Sequence, residues 1–144
     1  MNRIVLCCIF LAGGLAQAQS INQNSSAVPV QQTAEKIPIM DGGAGPCSVE
    51  FTVLGRDGKP VYAATVKVHI AYGFAGAHKL DLEAGTNSDG KLKFIGLPAR
   101  VHRPPLEFHA SKDSIEGLAT YDPAAECQAK HDITLDKPMT EQAH

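Results

Sequence analysis

The chain has 144 residues, with 13 Lys and Arg against 15 Asp and Glu, a net charge of −2 and no tryptophan. Its cations are scattered along the sequence, so neither the basic stripe that grips a polyanion nor an aromatic platform for stacking bases is present. Nucleic acid and anionic membrane are poor partners for such a composition.

Residues 1–18 have the three-part plan of a secretory signal: Arg3 near the start, an apolar run over residues 4–15, then Ala16-Gln17-Ala18 at the cleavage positions. A membrane span needs about 20 apolar residues, and Gln17, Gln19 and Ser20 interrupt the run too early. Cleavage after Ala18 is expected, giving a secreted or periplasmic chain with no membrane span. Cys7 and Cys8 lie inside the apolar run without the small residue that lipidation requires, and both leave with the peptide.

Residues 19–46 are rich in Gln, Asn, Ser and Ala, with apolar residues in no period, and end in Gly42-Gly43-Ala44-Gly45-Pro46. Such a stretch buries too little to offset its ordering entropy and is expected as a disordered stalk. A folded domain is expected over residues 47–138, and a short polar tail over residues 139–144.

Within the domain the period is two. Val49, Phe51 and Val53 share one face of the first strand; Val66, Val68 and Ile70 do so on the next, against Thr65, Lys67 and His69. Leu80 with Leu82, Leu92 with Phe94, Leu106 with Phe108, a weaker strand over residues 117–121, and Ile133 with Leu135 complete the set. Turns fall at Asp57-Gly58 and at Asn87-Ser88-Asp89-Gly90. No segment carries a helical stripe. Alternation of this kind, with turn signals between short runs, predicts an all-β fold: a seven-stranded antiparallel β-sandwich of prealbumin-like or immunoglobulin-like type.

After loss of the signal only Cys47 and Cys127 remain, flanking the folded region. If both are oxidised the pairing is forced, and the closed loop of about 80 residues is worth up to about 4.5 kcal/mol by the chain-entropy model; the alternative is two free thiols.

The run Gly55-Arg56-Asp57-Gly58-Lys59-Pro60-Val61, then Ala64-Thr65-Val66-Lys67-Val68, then Thr86-Asn87-Ser88-Asp89-Gly90-Lys91-Leu92-Lys93-Phe94 and Leu97-Pro98, resembles the carboxypeptidase regulatory-like family. The resemblance implies a transthyretin-like (prealbumin-like) sandwich, an accessory role on exported proteins, and no catalytic residue to carry over. It departs after Ala99, where Arg100, Val101 and His102 replace the usual glycine and tyrosine.

A second likeness concerns chemistry. Intradiol ring-cleaving dioxygenases carry an R-P-P-H-x-H run whose histidines bind ferric iron together with two tyrosines. Here Arg103-Pro104-Pro105-Leu106-Glu107-Phe108-His109 resembles that run but has Leu106 and Phe108 at the histidine positions. Hydrocarbons cannot ligate a hard cation. Neither a catalytic residue nor a cofactor is expected, and no metal site, although His102 and His109 flank the Pro-Pro bend and are a candidate pair. His69 is expected in water and His131 at the rim of the core. The Asn87–Gly90 segment lacks the acidic ligands of a calcium loop.

The candidate recognition loop contains Tyr72, Phe74 and His78, two aromatics and a histidine among glycines and alanines. Its aromatics either meet a partner or fold back over the core. The function expected is an exported non-catalytic module that binds an unidentified protein or glycan or serves a structural role. The alternatives are a carbohydrate- or peptide-binding accessory to a separate enzyme, and a degenerate relative of the intradiol dioxygenases without the iron ligands.

Overall fold

The computed structural model describes residues 35–140. The expected signal peptide, the stalk up to residue 34 and the last four residues of the tail lie outside the described residues. Nine strands form two sheets: β1 (Ile39–Asp41), β2 (Cys47–Gly55), β3 (Thr65–Tyr72), β4 (His78–Gly85), β5 (Lys91–Leu97), β6 (Leu106–Lys112), β7 (Ile115–Tyr121), β8 (Gln128–Leu135) and β9 (Lys137–Pro138). One sheet runs β1-β5-β2-β8, the other β4-β3-β6-β7-β9.

The all-β class holds, but the seven-stranded, wholly antiparallel prealbumin-like sandwich does not. Two of the pairings are parallel: β1 with β5, and β2 with β8 over the full length from Ser48↔Gln128 to Gly55↔Leu135. The physical reason is that period-two alternation buries the same side chains whichever way a neighbour runs, so the pattern carries no direction. Nor can strands of three and two residues, as in β1 and β9, display a period. Residues 38–44, assigned to the stalk by composition, lie along β5: the amide of Lys93 donates to the Pro38 carbonyl at 2.9 Å, and those of Gly42 and Ala44 donate to Ile95 and Gly96 at 2.9 and 2.7 Å.

The inward faces supply the core. Val49, Phe51, Val53, Val66, Ile70, Leu92, Phe94, Leu97, Phe108 and Ile133 are completely buried between the sheets. Phe51 is its centre, with ring centroids 4.6 Å from Phe108 and 6.3 Å from Phe94, the tilted and edge-on geometries aromatic pairs prefer. Because β2 and β8 run parallel in register, Cys47 and Cys127 fall side by side at their N-terminal ends. A disulfide joins them, with Cα atoms 4.6 Å apart.

Two buried polar residues fasten the β4–β5 corner. The Thr86 hydroxyl accepts from the Ala64 amide at 2.9 Å and donates to the Val61 carbonyl at 2.6 Å. Asn87 Oδ1 accepts from the amides of Asp89 and Lys91, the local side-chain turn for which Asn is favoured. Gly90 closes the turn at φ +69, where a Cβ would lie 2.6 Å from the Val53 carbonyl oxygen. The motif thus serves as a polar clasp. Among the described residues no buried side-chain polar atom lacks a partner, and no helix is long and apolar enough to cross a membrane.

Candidate functional site

The outer face of the five-stranded sheet presents what the inner face does not: Lys67 and His69 from β3, Lys79, Asp81 and Glu83 from β4, Glu107 and His109 from β6. Their cross-strand register, with Lys67 opposite both Glu83 and His109 and His69 opposite Asp81, sets charges beside one another. Lys67 meets Glu83 at 3.2 Å, His69 meets Asp81 at 2.5 Å and His109 meets Glu107 at 3.8 Å. His69 is thus in water as expected, but on a carboxylate.

Above this face lies a cleft of about 740 Å3. Its floor is the outer surface of β3 and β6. Ala75 and Gly76 of the β3–β4 loop and the connection from His102 to Pro105 complete the lining. His69, His102 and His109 all line it, along with Lys79, Arg103 and Glu107. The candidate pair His102 and His109 therefore share one cleft. Among the described residues no group of three or more His, Cys, Asp or Glu is placed to hold a metal ion.

The β3–β4 loop divides its aromatics between the two outcomes that the sequence left open. Phe74 opens a single 3-10 turn, Phe74–Gly76, and is 93 % exposed. Tyr72 instead packs against the core, bridges to Val101, and sets its ring 5.2 Å from that of His78. The glycines follow from close approach. A Cβ on Gly73 would meet the His78 ring at 2.6 Å, and one on Gly76 would meet the His102 ring at 2.9 Å.

The positions that correspond to iron ligands point the other way, into the core. Leu106 is 4 % exposed and Phe108 is fully buried. The Phe108 ring lies 4.6 Å from Phe51, 5.2 Å from Phe94 and 6.3 Å from Tyr121. The Tyr121 hydroxyl donates to the Cys127 carbonyl at 3.0 Å. Burial pushes its pKa up to about 12, with the carboxylates of Glu126 and Asp122 adding to the effect, so the phenolate an iron site would need is disfavoured. The His131 ring is 6.3 Å from both Phe51 and Tyr121, at the rim of the same cluster. Hydrocarbon and a tethered phenol do not fit a ferric ion.

Sequence reasoning missed Lys79 and Arg103 as cleft residues, and the clasp formed by Thr86 and Asn87. The first two are distant in sequence and line one cleft only once the sheet has formed. The clasp had a signal, a Thr-Asn pair opening a turn, but a turn motif does not reveal which backbone groups it will satisfy.

Two packed sheets form a β-sandwich with an open, charged cleft on one outer face. Among solved structures, the chain is similar to catechol 1,2-dioxygenase from Pseudomonas arvilla C-1, at 14% identity and a TM-score of 0.42, over 76% of this chain and 62% of that one. It is also similar to chlorocatechol 1,2-dioxygenase from Pseudomonas putida, at 14% identity and a TM-score of 0.46, over 72% and 68% of the two chains. The dioxygenase domain of a dioxygenase carbohydrate-binding protein fusion from Streptomyces sp. SirexAA-E gives 15% identity and a TM-score of 0.46, over 72% and 91%. No family model matches the chain, and no curated protein matches it. The nine strands and the two parallel pairings correct the carboxypeptidase regulatory-like, transthyretin-like assignment, and the solved structures to which the chain is similar are dioxygenases. The motifs behind that assignment are turn and core positions that unrelated sandwiches share.

Proposed function

We propose that this chain is an exported, non-catalytic β-sandwich related to the intradiol dioxygenases, in which the iron-binding interior has become solid core and the outer face serves for binding. The observation that carries it is the burial of Leu106 and Phe108 at the two ligand positions of the Arg103–His109 run. A hard trivalent ion needs oxygen or imidazole donors, and side chains packed ring against ring leave neither donors nor space.

Export rests on residues 1–18, and the disulfide between Cys47 and Cys127 suits an oxidising compartment. Mass spectrometry of the protein recovered from periplasm or medium tests this part: an N-terminus at Gln19 is expected, and one at Met1 refutes it. The non-catalytic part is tested by adding ferric iron to the purified protein, recording visible absorbance, and then offering catechol. No charge-transfer band and no ring-opened product are expected. A coloured iron complex that consumes catechol and dioxygen overturns the proposal.

A further inference from the structure

The charges around the cleft are unevenly paired. Lys67, His69 and His109 each have a carboxylate partner, in Glu83, Asp81 and Glu107 respectively. Among the described residues, neither Lys79 nor Arg103 has a carboxylate within ion-pair distance. Both line the cleft, Lys79 from the start of β4 and Arg103 from the connection ahead of β6, with His102 beside it. Glu107 is the one carboxylate of the lining, against the two cations Lys79 and Arg103.

We infer that the cleft binds an acidic sugar chain, a uronic-acid oligosaccharide whose carboxylate sits between Lys79 and Arg103. This rests on the reading of the domain as a binding module. A guanidinium presents a planar fork that matches a carboxylate with two parallel hydrogen bonds. The ring nitrogens of the three histidines and the oxygens of Glu107 supply donors and acceptors for hydroxyl groups. Pro104 and Pro105 are exposed in the lining and offer flat apolar surface to the C–H face of a pyranose. A volume of about 740 Å3 falls within the roughly 300–1,000 Å3 usual for small-ligand sites.

Other occupants fit less well. A nucleotide base needs an aromatic face on which to stack, and the lining has none except imidazole.

Calorimetric titration of the mature chain with trigalacturonate and with a glucuronic-acid-containing tetrasaccharide tests the inference. The controls are the methyl ester of trigalacturonate and a poly-glutamate peptide. At least one uronate is expected to bind at least tenfold more tightly than the ester and the peptide, and to weaken as salt is raised. K79Q combined with R103Q is expected to weaken that binding at least tenfold with an unchanged melting temperature, since both side chains are exposed. Equal binding of acid and ester, tighter binding of the peptide, undiminished binding by the double variant, or no binding of either uronate overturns it. Loss of uronate binding without iron-dependent turnover refutes this inference alone, whereas turnover of catechol refutes the proposed function.

Discussion

Placing histidine at both Leu106 and Phe108 creates the R-P-P-H-x-H spacing, and its effect on stability measures how completely the interior is hydrocarbon core. Each residue is buried, so each substitution gives up part of the roughly 1.5–3 kcal/mol that burying a large apolar side chain contributes. Each also places imidazole nitrogens among Phe51, Phe94 and Tyr121. The Tyr121 hydroxyl already donates to the Cys127 carbonyl, and an unpartnered buried polar group costs about 1–3 kcal/mol. A loss of about 2–4 kcal/mol per site, and about 4–8 kcal/mol for the pair, follows from these two terms. Against a domain stability of about 5–15 kcal/mol, L106H/F108H is expected to be partly unfolded at room temperature. Urea titration followed by far-ultraviolet circular dichroism checks this, since the chain has no tryptophan to report. The single variants belong in the same series, because the two positions share a strand face and couple. A double variant within about 1 kcal/mol of the parent would refute the reasoning. So would one stabilised by ferric iron, because the interior would then have room for a metal after all.

Three further outcomes follow from the packing. Replacing Cys47 and Cys127 by alanine opens a loop with a sequence separation of 80 and is expected to cost up to about 4.5 kcal/mol; an unchanged urea midpoint would refute a stabilising bridge. Tyr121 has a folded-state pKa of about 12, above the ordinary value of 10.0. Its contribution is therefore complete below pH 10 and is lost as pH rises through 12, by up to about 3 kcal/mol in all. Y121F should flatten that alkaline limb, and an identical limb in parent and variant would refute the assignment. F74A is expected to change stability by less than about 0.5 kcal/mol, because the ring is 93 % exposed. Y72A, which removes a ring packed against the core, is expected to cost about 1–3 kcal/mol. Equal melting temperatures for the two variants would show that the loop does not divide its aromatics in this way.

Alternation along the strands was readable from residue types alone. It placed Val49, Phe51 and Val53, then Val66, Val68 and Ile70, and later Leu106 and Phe108, on inward faces, and all of them lie in the core. It also put Lys67, His69 and His109 outside. These are local properties: a strand turns alternate side chains to opposite faces whatever its neighbours do. Turn positions were legible for the same reason, at Gly58 and Gly90, both at positive φ. The clues to family misled, because G-x-P-V and T-x-x-D-G-x-x-x-F encode turns and core contacts that many sandwiches require. Only the tertiary structure decided the direction of pairing. The parallel β2–β8 ladder joins segments far apart in sequence, and nothing in either strand records which way the other runs. That ladder brings Cys47 beside Cys127, and the β4-β3-β6 order gathers Lys79, Arg103 and three histidines around one cleft. A composition with its cations scattered along the chain thus brings Lys79 and Arg103 to one cleft, because proximity in a sheet is set by pairing and not by sequence.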